Sequence, residues 1–235
     1  PNPKPQTPNP QVMFENESEL KNKLAKGEFY EIEQSLKSTV TRLCSRQLFK
    51  DAVNKILVVL KAFENADDLS AHQNTVFNIV NLSVDTLKKD TNIQPPREEI
   101  VKLMQKLPAS SAKISSMIRL IKELDLKELI APIIDDCLAT ESYGIAQKVL
   151  LVYSCDSECV DKVFKKWMAA VNEHEKDLLL FRYLLLLLHS NHRESFEENL
   201  KVFNEKYAFK DSLGSIFVSM FVDILDNKRE NSYNE

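Results

Sequence analysis

Residues 28–45 read EFYEIEQSLKSTVTRLCS, and residues 47–63 read QLFKDAVNKILVVLKAF. In the first stretch Phe29, Ile32, Leu36, Val40 and Leu43 recur three to four residues apart. In the second Leu48, Ala52, Ile56, Val59, Leu60 and Phe63 do the same. That spacing puts each apolar set on one face of an α-helix, because neighbours on a helix surface are three and four residues apart. Two amphipathic helices joined by a few residues form an antiparallel hairpin that buries both stripes.

The same reading extends in both directions. Asn16 with Glu19 predicts a capped helix start, and Gly27 predicts its end. After Phe63, DDLSAHQNTVFNIVNLSVDTLKK (67–89) predicts a helix that opens acidic and closes basic, as the helix dipole prefers. Pro95 and Pro96 end it. REEIVKLMQKL (97–107) follows and stops at Pro108. SAKISSMIRLIKELD and LKELIAPIIDDCLATE come next, with a kink or restart expected at Pro132. Five further periodic segments bring the total to about twelve helices. Aromatic-x-x-Ala steps at Phe49–Ala52 and Tyr143–Ala146 suggest a repeat in which helices approach closely over the alanine. The expected fold is all-α, an α-solenoid of antiparallel helix hairpins resembling a tetratricopeptide superhelix. The expected domains are a Pro-rich disordered tail (1–14), an N-terminal helical half (15–107), a C-terminal helical half (108–228) and a disordered tail (229–235).

Composition narrows the chemistry. The chain has 235 residues with three glycines, at 27, 144 and 214, so no glycine-rich phosphate loop is possible. Five of the nine prolines fall in PNPKPQTPNP at the start, an extended, unstructured composition with no apolar signal region. A net charge of −4 argues against a nucleic-acid binder, which needs a basic face. The richest apolar run, DLLLFRYLLLLLH, contains Arg182 and falls well short of the ~20 residues of a membrane span. A reduced, cytosolic setting is expected for Cys44, Cys137, Cys155 and Cys159.

No catalytic set is expected. Cys155 and Cys159 are read as partly buried thiols at a helix N-terminus rather than zinc ligands. His189 and His192 are read as an exposed turn. Asp67–Asp68 and Asp135–Asp136 diverge by about 100° around a helix and are read as solvated. No metal or cofactor site is expected. Surfaces remain. Tyr30, Gln34, Lys37 and Thr41 form a polar stripe with an aromatic, flanked by Glu31, Glu33 and Arg42, in the manner of a docking face. Leu213, Ile216, Phe217, Met220, Phe221, Ile224 and Leu225 form an apolar stripe too wide for a terminal repeat helix. One edge of it is expected to pack on the preceding helix through Leu200 and Phe203.

KGEFYEIEQSLKSTVTRL, residues 26–43, resembles the opening helix pair of the guided-entry-of-tail-anchored-proteins factor four family. That family reads roughly G-D-Y-Y-E-A-x-Q-x-x-R-T-x-x-x-R. Gly27, Tyr30, Glu31, Gln34 and Arg42 match it, and Lys37 stands where the family has Arg. ESYGIAQKVLL and FRYLLLLLHSNHRESFEENLKVFNEKY are similar to later segments. Val59-Leu60 departs from a Gly-Ala step. Asn74 stands in a head-of-helix motif where the family carries a regulatory Asp. A central G-H-P-x-L-H motif is absent around Leu126 to Pro132.

The resemblance implies a cytosolic scaffold that does no chemistry. Its N-terminal half would dock a homodimeric targeting ATPase through Tyr30, Glu31, Gln34, Lys37 and Arg42. Its C-terminal half would hold a small ubiquitin-like-domain protein through Leu213, Phe217, Met220 and Phe221. That partner recruits a co-chaperone carrying the hydrophobic client, so nucleic acid and direct membrane insertion play no part. The alternative expectation is a non-catalytic helical assembly or lid subunit of a large complex, of proteasome-lid or initiation-factor type. Such subunits finish in a winged-helix module, for which FVDILDNKRENSYNE offers no hairpin.

Overall fold

The computed structural model describes residues 17–232 apart from 67, 68, 154 and 191. The protein is all-α, with no strand among the described residues. Among the described residues the twelve α-helices are α1 (Glu17–Ala25), α2 (Phe29–Ser45), α3 (Phe49–Glu64), α4 (Gln73–Leu87), α5 (Arg97–Lys106), α6 (Ser111–Leu124), α7 (Ile130–Ala139), α8 (Tyr143–Tyr153), α9 (Ser157–Ala170), α10 (Glu173–His189), α11 (Arg193–Tyr207) and α12 (Leu213–Ser232). They divide between two compact units, Pro1–Leu129 and Ile130–Glu235. The expected tail at 1–14, the expected Asn16 cap and positions 233–235 of the expected C-terminal tail lie outside the described residues.

In the first unit, alternate helices stack into two layers. One holds α2, α4 and α6; the other holds α1, α3 and α5. The predicted stripes face inward, with Ile32, Leu36, Ala52, Ile56, Leu60 and Phe63 fully buried. Ala52, the small residue of the first aromatic-x-x-Ala step, is buried on α3. Helix ends use left-handed corners. At Gly27, φ is +73°. There the Gly27 N–H donates to Leu24 O at 2.9 Å, and the Glu28 N–H donates to Lys23 O at 3.0 Å. This is the paired bond set of a Schellman cap. Gln47 repeats it without glycine, at φ 60°, with Leu48 N–H on Leu43 O. Ser110 caps α6, its Oγ accepting from the Lys113 N–H at 3.2 Å.

The second unit repeats the scheme, with α7, α9 and α11 in one layer and α8, α10 and α12 in the other. Its core is aromatic. Phe164 lies 5.0 Å from Tyr183 and 5.2 Å from Phe203, ring centre to ring centre. Ala146 is fully buried near the start of α8, beside which Tyr143 stacks on Trp167 at 5.7 Å.

Four expectations are corrected. The boundary falls after Leu129 instead of at 107/108, because α6 packs on α4 and so completes the first unit. Residues 229–232 continue α12, since no proline or glycine interrupts that stretch. The fourth helix begins at Gln73, after a 3-10 turn at Ser70–His72, and has no acidic residue in its first turn. α12 packs against α10, the previous helix of its own layer, and against the 3-10 turn Phe209–Asp211, instead of on α11 through Leu200 and Phe203. At Pro132 the chain restarts: a 3-10 turn at Lys127–Leu129 precedes α7, and the proline sits in the first turn, where its missing N–H costs nothing.

Candidate docking faces

Of the sequence-predicted stripe on α2, Tyr30 projects furthest, 69% exposed. Glu31, Gln34 and Thr41 are exposed with it, and Lys37 and Arg42 are half-buried. The periodicity of α2 puts Leu36 and Val40 into the core, which turns Tyr30, Gln34, Lys37 and Thr41 outward together. Arg42 has no ion-pair partner among the described residues, and its carbonyl accepts from Ser45 Oγ at 2.8 Å.

Glu33 does not flank this stripe at the surface; it is buried at 3% exposure. It is held by Lys37 Nζ at 2.5 Å and by Asn78 Nδ2, from α4, at 2.9 Å, both on Oε1. Lys37 therefore neutralises a buried carboxylate, as well as standing beside Tyr30. The network continues across the layer. Arg119 of α6 donates to Asn81 Oδ1 at 2.7 Å and to Asp85 Oδ1 at 2.6 Å, both on α4. Lys88 pairs with Glu123 at 2.9 Å. The hydrogen bond from Lys88 holds the Glu123 carboxyl below its ordinary range. This polar ladder across α2, α4 and α6 escaped sequence reading. Each member is an ordinary helix-surface residue, and only the layer stacking brings them together.

The second face is on α12. Leu213 is 75% exposed, Ile216 57%, Phe217 52%, Met220 54%, Phe221 46% and Ile224 51%. The side chain of Leu225 lies outside the described residues. The helix is anchored by Val218, which is buried, and by Gly214. A Cβ built at Gly214 would meet Phe209 Cε2 at 3.0 Å and Phe181 Cβ at 3.2 Å, so only glycine lets α12 sit this close. Phe217 lies 6.2 Å from Phe181 of α10, and Leu178 of α10 is also exposed.

The candidate chemistry is dispersed. Cys155 precedes α9 and Cys159 lies in its first turn, so the two thiols are not on one helix face. Burial raises both thiols, Cys155 to about 11, as it does Cys137. At neutral pH they remain protonated. No grouping of three or more His, Cys, Asp or Glu able to hold a metal occurs among the described residues. His189 ends α10 and His192 stands at the N-cap position of α11. Asp135 pairs with Lys162, but Asp136 is buried rather than solvated; Asp67 and Asp68 lie outside the described residues. Among those residues no helix is long and apolar enough to cross a membrane.

No protein-family model matches the chain, and no curated protein matches it.

Proposed function

We propose that this protein is a non-catalytic scaffold in the targeting of tail-anchored membrane proteins, working in the cytosol. Its first unit docks a targeting ATPase on the α2 face, and its second holds a small ubiquitin-like-domain protein on α12. That partner brings a co-chaperone with the client, and tethering raises the client's effective concentration at the ATPase. The observation that carries the reading is the uncovered apolar stripe from Leu213 to Ile224, which has the character of a partner site. The motif from Gly27 to Arg42 supports the ATPase assignment, since its unpaired members Tyr30 and Gln34 stand free for contact.

The test separates the faces. Tyr30→Ala with Gln34→Ala is expected to weaken ATPase binding at least tenfold while leaving capture of the ubiquitin-like protein intact. Phe217→Asp is expected to do the reverse. Tyr30→Ala with Gln34→Ala should keep the wild-type melting temperature, because both side chains are exposed, and Phe217→Asp should lower it only slightly, because Phe217 is about half exposed. Retained binding in both, or a large fall in melting temperature, defeats the proposal. Lys37→Glu is unsuitable as a probe, since it would set a second carboxylate against buried Glu33.

A further inference from the structure

The stripe on α12 has a geometry that suits a second copy of itself. Leu213, Ile216, Phe217, Met220, Phe221 and Ile224 cover an arc of the helix about 140° wide, at about 100° per residue. Their spacing is symmetric about a point between Val218 and Ser219. Two α12 helices laid antiparallel about a two-fold axis there would put Leu213 against Ile224, Ile216 against Phe221 and Phe217 against Met220 of the other copy. Every apolar group of one stripe then meets an apolar group of the other, which is the self-complementarity that an isologous interface requires. The Phe217–Met220 pairing also makes a sulfur–aromatic contact.

Area and charge agree. Six large side chains that are about half exposed offer on the order of 100 Å² each. Two copies together would bury about 1,200 Å², the lower bound for a specific interface. The exposed flanking residues Asp223 and Ser219 lie about 20° and about 60° outside the arc, so closure strands no charge. In the antiparallel register Asp223 falls level with Gly214 of the other copy, on the far side of the helix pair and clear of the apolar contact.

We infer that in the absence of its partner this chain forms a homodimer through antiparallel packing of α12 on α12. The dimer and the partner complex use the same stripe and exclude each other. The inference goes beyond the scaffold reading and is measured on the chain alone, so either can fail without the other.

The experiment is sedimentation equilibrium of the full chain from about 1 to 200 µM, the weak range that a minimal interface supports. The wild type is expected to pass from the 27.0 kDa of one chain to twice that mass. Met220→Asp is expected to remain at one chain throughout, with an unchanged circular dichroism spectrum. Register is read from a chain carrying Phe217→Cys and Met220→Cys, oxidised and mapped by mass spectrometry. Cross-links should join position 217 of one copy to position 220 of the other. A wild type that stays at one chain mass overturns the inference, as does dimerisation that survives Met220→Asp. Cross-links that join 217 to 217 overturn the antiparallel packing.

Discussion

Gln47, Glu141 and Ala208 hold φ at 60°, 54° and 52°, in the left-handed region where a Cβ is crowded. Gln47 and Glu141 follow helices α2 and α7 directly, at the corner where glycine is favoured. Gln47→Gly is expected to raise stability by about 0.5–1 kcal/mol, the relief of strain being partly offset by the greater freedom glycine gives the unfolded chain. The urea midpoint measures it, with Gly27→Ala as the opposite control, since Gly27 shares the conformation. Glu33 and Lys37 give a contrast of another kind. Lys37→Ala leaves a buried carboxylate with Asn78 as its remaining side-chain partner and is expected to cost about 1–2 kcal/mol. Glu33→Gln keeps the shape and the Asn78 contact while leaving Lys37 half in water, so it should cost less. A reversed order in thermal melts would remove Lys37 from its supporting role.

Helix α12 is positioned by Gly214, where the built Cβ meets ring atoms of Phe209 and the Cβ of Phe181. Gly214→Val is expected to push α12 off α10 and increase hydrogen exchange along α12 while α9 and α11 stay protected. Between those two helices, Tyr207 Oη and Lys206 Nζ of α11 each donate to Asp161 of α9 at 2.7 Å. Burial pushes the Asp161 carboxyl up, but these two hydrogen bonds outweigh it and leave the group below its ordinary range. A carboxylate lowered by folding stabilises the fold above its unfolded pKa, near 4, and that contribution is lost as pH falls through the folded value. Asp161→Asn should therefore flatten the acid limb of the stability curve below about pH 4, and an unchanged limb would exclude the pair as its source. At this scale the sequence was most legible: apolar periodicity located most of the helices, because the alternation of faces is set by side-chain burial, while the Gly27 stop marked the end of α1. The corners at Gln47 and Glu141 were not legible, since those residues have no local signature for left-handed backbone. Nor was the burial of Glu33, which depends on Asn78, 45 residues away.

The whole chain consists of two units that each carry a complete two-layer core. A fragment of residues 17–129 is expected to unfold cooperatively in urea. One ending at 107 should melt at a lower temperature with a broader transition, because α4 loses the cover of α6. Equal cooperativity in both would favour the boundary expected from the proline at 108. That boundary was attractive because Pro108 interrupts the pattern, yet a helix break need not be a unit break when the next helix packs back on the last. The layering bears on how the chain is made. The prominent helix contacts join elements no more than two apart in sequence. A helix emerging from the ribosome therefore finds its docking surface already built by the two before it. Folding can keep pace with translation, with no early segment left waiting for a distant late one.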